Sequence, residues 1–563
     1  MELPSESMTV APTRSVDDVA DPDPRTDEGD DAGRRRRVSL RAVPALAVGF
    51  VFLALVAPAV AVRSPLGHDE AVYSLRGRDL LTGWTHLSGD YWRDYRAPGL
   101  PLMLGGLGRV IGVHVTTSRL LVVLLALVIM ASTAAIGARL ASRSVGLAAA
   151  TLLPLIFGFS LTATIVLADT PGAAFAMLGI AVYLRDVDAG RLRLSLVAIP
   201  LLAFAATMSR FGAPFMLGAG LLAVAIVFAP DVVRRRDWRL ALESAGLALA
   251  VAVVVAVVVL TDTFTLDGRS PATANSDLVG KNGFTFRTGL GNLVDVVNPW
   301  AAHSFPLWSK AVALIVGSGL VAAVVSVAFE RSRWRIVTFG LFAGLVSLVC
   351  VVATVGLVVP NYLMLTLPFW ALVAAAGWDW VARAVYTRLH RRTLIVRVVA
   401  AIAVVGLVAL VVDVGSDVRQ VHQRYELLYA NIRQASLATN DQLGDSCVLI
   451  ARYTPQAGYY SRCRIAPFDD QELPDGSEWL TVSVDRVVER WDLGVPPDSP
   501  IAVMLVEQAN RQPDFTELTE RTDLFGVRLF EAGDPEKYRD HVIVLTVDPC
   551  VSERSCDGDE RPG

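Results

Sequence analysis

The sequence predicts an α-helical polytopic membrane protein of about eleven transmembrane helices with a C-terminal extracytoplasmic α/β domain. Three observations predict it. Apolar residues are 53% of the 563 and charged residues 19%, below the roughly 25% of soluble domains, and mean hydropathy is +0.47. About eleven runs approach the ~20 apolar residues that a bilayer span needs. Every second loop between those runs is rich in arginine, as cytoplasmic loops are. The net charge of −4 gives no basis for a nucleic-acid partner.

The runs fall near 43–62, 118–138, 144–160, 169–184, 194–209, 212–229, 240–261, 308–329, 337–359, 361–380 and 394–413. Arg34 to Arg37 precede the first. Arg139 and Arg143 follow the second, Arg185, Arg191 and Arg193 the fourth, and Arg234 to Arg236 the sixth. Arg331, Arg333 and Arg335 follow the eighth, and Arg383, Arg388 and Arg391 the tenth. This alternation predicts a plasma-membrane protein with its N-terminus inside. It leaves 63–117, 262–307 and 414–563 outside.

Residues 1–41 form a separate unit. The first 33 hold ten acidic and two basic residues and almost no large apolar groups, so they are predicted to be a disordered cytoplasmic tail. Residues 42–413 are the polytopic membrane domain. Ala59-Val60-Ala61 has the form of a signal-peptidase site. The long preceding tail and the full span length favour a retained helix instead.

Beyond Asp413 the pattern changes. Residues 417–440 predict a helix of mixed polarity, followed by short apolar runs separated by turn residues. That is a small α/β domain over 414–563, with enough chain to bury its own core. Cys350 lies in a span, whereas Cys447, Cys463, Cys550 and Cys556 lie in this domain. An oxidising compartment predicts two local disulfides, Cys447 with Cys463 and Cys550 with Cys556. The domain could bind an acceptor or brace the external loops.

Candidate chemistry sits in the predicted external loops. Asp69 and Glu70 are adjacent carboxylates just past the first span, and Asp69 could equally cap a helix. Arg96 is a cation near membrane level, suited to a phosphate or to interfacial snorkelling. Asp169 precedes Thr170-Pro171 between two apolar runs, where a carboxylate is expensive and usually functional, or where it caps a helix ahead of a first-turn proline. Arg210 separates two further runs, and Arg287 follows in the next long loop. Lys281 is one of three lysines in the chain, and an ordinary solvated loop would also hold it. His68 and His303 read as loop residues.

These residues carry a resemblance. Asp69-Glu70-Ala71-Val72-Tyr73, Tyr95-Arg96-Ala97-Pro98-Gly99-Leu100-Pro101, Arg119 and Ala168-Asp169-Thr170-Pro171 resemble the GT-C superfamily. The likeness is nearest to the branch holding protein O-mannosyltransferases and lipid A aminoarabinose transferases. Asn361-Tyr362-Leu363-Met364 resembles a late family segment in which Arg-Tyr-Leu is usual. Two departures stand out: the family's Lys-Pro-Pro-Leu is Arg96-Ala97-Pro98-Gly99 here, and Asn361 replaces a frequent cation.

The resemblance implies an inverting glycosyltransferase that moves a sugar from a polyprenyl-phosphate donor in the membrane lipid to an extracytoplasmic glycan, lipid or protein acceptor. It implies Asp69 as general base, with Glu70 and Asp169 orienting it, holding acceptor or sharing a divalent cation. Tyr73, Arg96, Arg210, Lys281, Arg287 and Tyr362 are the candidate contacts to substrate and lipid phosphate. A nucleotide-sugar donor would need a cytoplasmic globular domain, and no segment is long enough for one; no G-x-x-x-x-G-K-[ST] loop occurs either. The competing readings are a polytopic transporter, for which internal repeats are missing, and a non-catalytic scaffold of the same fold.

Overall fold

The computed structural model describes residues 47–57, 60, 64–82, 97–260, 286–300, 307–355, 359–389, 393–451, 454–467, 499–507, 525–534 and 539–547. The predicted tail, Arg96, Lys281, His303, Cys550 and Cys556 lie outside the described residues.

Each predicted apolar run contains helix. The first is α1 (Ala47–Ala57). The loop after it holds α2 (His68–Thr82) and α3 (Gly99–Ile111). Then follow α4 (Val115–Leu140), α5 (Arg143–Leu155), α6 (Phe157–Thr162), α7 (Asp169–Asp188), α8 (Ser195–Ser209), α9 (Ala213–Arg235) and α10 (Trp238–Leu260). After α11 (Phe286–Val297) come α12 (Lys310–Phe329), α13 (Trp334–Val355), α14 (Leu367–Leu389) and α15 (Thr393–Leu443). Among the described residues six stretches are long and apolar enough to cross a membrane, those of α4, α9, α10, α12, α13 and α15.

These helices are not amphipathic in the aqueous sense. On α10, Leu242, Leu249 and Leu260 point outward and are 66–74% exposed. A helix apolar on its outer face suits hydrocarbon rather than water. Inside the bundle, small residues let backbones meet. A Cβ on Gly377 of α14 would collide with the Gly319 carbonyl of α12, the close approach that glycine permits between membrane helices.

The run predicted at 144–160 is broken. Pro154 lacks an N–H for the last turn of α5, and Ile156 is extended before α6 restarts. The Gly158 N–H donates to the Leu307 carbonyl at 2.8 Å, and the Ser160 hydroxyl donates to the Pro154 carbonyl at 2.6 Å. Residues 163–168 then form a short irregular segment ahead of α7.

The composition change near Asp413 falls inside one continuous helix. With 51 residues, α15 is about 77 Å long, whereas a bilayer core is ~30 Å thick. Its first part is apolar from Val398 to Val412. Its second part carries His422, Tyr425 and Tyr429, and then Ile432 and Ala435 enter the core of the C-terminal domain.

That core is a five-stranded mixed sheet in the order β2-β1-β3-β5-β4, formed by β1 (Val448–Ala451), β2 (Arg464–Pro467), β3 (Ile501–Glu507), β4 (Phe525–Asp534) and β5 (Arg539–Val547). β1 runs parallel to β2 and β3, and β5 antiparallel to β3 and β4. A short helix, α16 (Thr454–Ser461), links β1 to β2. The parallel register sets Val448 beside Arg464. It therefore brings the preceding residues, Cys447 and Cys463, together, and these are disulfide-bonded with Cα atoms 4.7 Å apart.

Candidate functional site

The geometry starts at Glu70. One residue past Asp69 in the first turn of α2, its side chain is fully buried. Its Oε2 accepts from the Gly67 N–H at 2.9 Å and from Arg119 Nη2 at 3.0 Å. Its Oε1 accepts from Arg119 Nε at 3.1 Å and from the Val166 N–H at 3.0 Å. Four donors fill the acceptor capacity of a carboxylate, and the paired fork with arginine is the strong form of such contacts. Burial alone raises the Glu70 pKa. The charge and hydrogen bonds of Arg119 outweigh it and hold the carboxyl below its ordinary range.

Arg119 extends the network. Its Nη1 donates to the Ser64 hydroxyl at 3.0 Å, and that hydroxyl meets His422 Nδ1 at 3.1 Å. The far side of the ring, Nε2, meets the Thr164 hydroxyl at 3.1 Å. One buried chain of contacts thus joins the exit of α1, the start of α4, the 163–168 segment and the C-terminal helix. His422 lies beyond the apolar part of α15. Burial first, and then the Arg119 charge, lower its pKa to about 4, so the ring is neutral.

The second pair is Asp169 with Arg210. Asp169 opens α7, with Pro171 in the first turn where no N–H is required. Its Oδ1 lies 3.2 Å from Arg210 Nε, and its Oδ2 accepts from Asn361 Nδ2 at 2.9 Å. The Arg210 guanidinium lies 4.4 Å from the centroid of the Tyr362 ring, within cation–π range. Asn361 occupies the position where the resemblance leads one to expect a cation, and it serves as a donor to Asp169.

Asp69 stands between these groups and is exposed. A cavity of about 490 Å³ opens beside it, within the range of small-molecule sites. One wall is Gly67, His68, Asp69 and Glu70; a second is Leu161, Thr162, Ile165 and Leu167. A third is Val359 to Tyr362, and the fourth is Tyr425 and Tyr429 from α15. The Asp69 carboxylate acts electrostatically on both Asp169 and the Tyr425 phenol. Asp169 and Arg210 sit behind Asn361 and Tyr362 rather than in the lining. Tyr73 is buried against Leu100, Leu104 and Val166, one turn along α2 from Asp69.

The C-terminal domain braces this end of the bundle. Arg78 of α2 donates to the Tyr459 and Gly458 carbonyls at 3.1 and 3.0 Å. The Tyr460 hydroxyl accepts from the Leu66 N–H at 2.9 Å, and the Tyr459 hydroxyl donates to the Val113 carbonyl at 3.0 Å. The helix bearing Asp69 and Glu70 is therefore held from the disulfide-stapled side of the sheet.

The other sequence-derived candidates divide. Arg287 is exposed at the start of α11, and no described residue of that helix lines the cavity. Arg96 and Lys281 lie outside the described residues. Among the described residues no group of three His, Cys, Asp or Glu stands together as a metal site. Glu70 and Asp169 each pair with an arginine, Arg119 and Arg210 respectively. Sequence reading missed His422, Tyr425 and Tyr429, which arrive from more than 350 residues away along the chain. Their i, i+3, i+7 spacing on one helix face was the available signal.

The chain has a mostly helical fold, with six stretches long and apolar enough to cross a membrane among the described residues and a mixed sheet in its C-terminal region. Among solved structures the chain is similar to ArnT from Cupriavidus metallidurans in the apo state, with a TM-score of 0.55 and 15% identity over 92% of this chain and 99% of that one. It is similar to the same protein bound to undecaprenyl phosphate, with a TM-score of 0.54 and 16% identity over 90% and 97%. It is also similar to the oligosaccharyltransferase of Archaeoglobus fulgidus in complex with Zn and sulfate, with a TM-score of 0.53 and 12% identity over 82% and 67%. No protein-family model matches the chain, and no curated protein matches it by sequence.

Proposed function

We propose that this protein is an inverting membrane glycosyltransferase that moves a sugar from a polyprenyl-phosphate donor to an extracytoplasmic acceptor, with Asp69 as general base. The observation that carries the reading is the exposed Asp69 carboxylate at the mouth of a 490 Å³ cavity, beside two carboxylates that arginines already neutralise. The fold likeness to ArnT, solved with undecaprenyl phosphate bound, supports the donor class.

Asp69 takes the proton of an acceptor hydroxyl as that oxygen attacks the anomeric carbon. The bond from the anomeric carbon to the phosphate oxygen breaks, and the lipid phosphate leaves with the electron pair. A phosphate leaving group needs no general acid, so one carboxylate is enough, unlike the pair used in glycoside hydrolysis. Glu70 has no open lone pair and is a positioning residue for α2. Arg210, with Arg96 and Lys281, supplies positive charge to the departing phosphate. The arginine-rich loops face the cytoplasm in this reading, and the C-terminal domain lies outside.

The test uses the full-length protein, in lipid nanodiscs for transfer and in sealed vesicles for transport, with a panel of radiolabelled undecaprenyl-phosphate sugars and crude envelope glycan as acceptor. Transfer of label from at least one donor, absent in Asp69→Asn, is the expected result. Label that crosses sealed vesicles without changing chemical form would replace the reading with transport.

A further inference from the structure

We propose that Tyr425 and Tyr429 form the acceptor subsite and that the acceptor is a neutral saccharide. The inference rests on the transferase reading above. Both tyrosines line the cavity wall facing Asp69. They are one helical turn apart on α15, with ring centroids 5.9 Å apart and planes at 62°. Tyr425 is fixed from behind: it packs edge-on to His422 and approaches Gly67 so closely that a Cβ there would lie 3.1 Å from its ring. A fixed phenol and its edge-on neighbour thus stand together in the lining that also holds the Asp69 carboxylate.

A sugar ring has a face of C–H groups and a rim of hydroxyls. The tyrosine rings offer apolar area to the face, and their hydroxyls offer hydrogen bonds to the rim. Asp69 next to them accepts from whichever hydroxyl is to react. The rest of the lining argues against other acceptors. No arginine or lysine is among the described lining residues, which beside Asp69 and the phenols offer the neutral Thr162 and Asn361 and the imidazole of His68, a set better suited to hydroxyl groups than to an anionic acceptor headgroup. Among the described residues no strand of the sheet contributes to the wall, so none of them offers an extended peptide a backbone edge to pair with. The donor side is separate: it is the wall of Asn361 and Tyr362 backed by Arg210 and Asp169.

The experiment is saturation-transfer NMR on the full-length protein in nanodiscs without donor. The probes are methyl α-mannopyranoside, methyl α-glucopyranoside, methyl α-arabinofuranoside and a Ser/Thr-containing octapeptide. Variants are Tyr429→Ala, Tyr429→Phe, Tyr425→Phe and Asp69→Asn. Tyr425→Phe keeps the ring that packs on Gly67, so it does not depend on tolerance of a cavity. At least one glycoside is expected to bind, about tenfold more weakly in Tyr429→Ala and within threefold of wild type in Tyr429→Phe. In turnover Tyr429→Ala raises the acceptor KM about tenfold with kcat and donor KM little changed. The inference is overturned if no glycoside binds, if the peptide binds in their place, or if Tyr429→Ala leaves affinity unchanged. A different result sinks the base reading instead: glycosides bind in a tyrosine-dependent manner, yet Asp69→Asn transfers sugar at the wild-type rate.

Discussion

The two ends of the helix bundle handle buried charge differently. At the arginine-rich end, Arg333 donates to Asp379 at 3.0 Å and to the Ala376 carbonyl at 2.8 Å, while Ser144 donates to the same aspartate at 2.9 Å. Asp186 there receives the N–H groups of Leu194 and Ser195. These contacts stitch one loop to the next. At the opposite end, Arg119 and Arg210 each neutralise one buried carboxylate, and Asp69 stays exposed beside a cavity. A buried arginine is therefore not the mark of the site. The mark is an exposed carboxylate in the lining of a cavity, with tyrosines in the same lining.

The sharpest way to break this comparison is to remove one carboxylate at each end. Asp69→Asn is expected to lower sugar transfer by 10²–10⁴-fold, the usual contribution of a general base, with unchanged thermal unfolding. Asp379→Asn should leave turnover within a few-fold and lower stability instead. Initial rates and unfolding curves on the same nanodisc samples check both. Equal loss of activity in the two variants would mean that the ends are not functionally distinct.

The next effect is energetic. Arg119→Ala leaves Glu70 buried with two of its four donors gone, and breaking a fully buried pair costs about 3–5 kcal/mol. Turnover should fall in proportion to the folded fraction, because Glu70 holds α2 in place without touching substrate. Denaturant unfolding in detergent, with activity per folded molecule, separates the two contributions.

A pH profile sharpens the same point. His422 titrates near 6.5 when unfolded and at about 4 when folded, so the unfolded chain binds the proton more tightly in between. Its contribution is complete above pH 6.5 and is lost as pH falls toward 4, by roughly 3 kcal/mol in all. The Glu70 carboxyl is also depressed, so its stabilisation is present above its ordinary value and is lost as pH falls through the lower folded one. His422→Gln should flatten the profile between pH 6.5 and 4.5 and keep the steeper acid limb. Melting temperatures at half-unit pH steps read this directly, and an unflattened profile would place the titration elsewhere.

These contrasts also explain what the sequence made legible. Hydropathy and arginine spacing located the helices, because a bilayer imposes span length and loop charge on local stretches of chain. The break after Pro154 escaped, since an apolar run reads the same whether or not its backbone is continuous. The 51-residue α15 was read as a span followed by a separate helix, because composition changes at Asp413 and backbone geometry does not. Asp69 and Glu70 were equivalent on paper. Their difference comes from Arg119 and the Val166 N–H, partners 49 and 96 residues away. For His422, Tyr425 and Tyr429 the i, i+3, i+7 spacing marks a shared helix face, and only long-range contacts bring that face to the cavity.

The smallest effect tests the arginine-rich end on its own terms. Arg335 pairs with Asp231 and lies 5.2 Å from the Phe228 ring centroid. Its side chain is 35% exposed and that of Asp231 28%, so solvent screens the pair. Exposed pairs contribute about 0–1 kcal/mol. Arg335→Ala is therefore expected to shift stability by less than about 1 kcal/mol and to leave transfer unchanged, whereas Arg119→Ala at the other end costs several times more. If the two substitutions destabilised equally, burial would not be what separates the ends, and the assignment of Glu70 as a structural brace would lose its energetic basis.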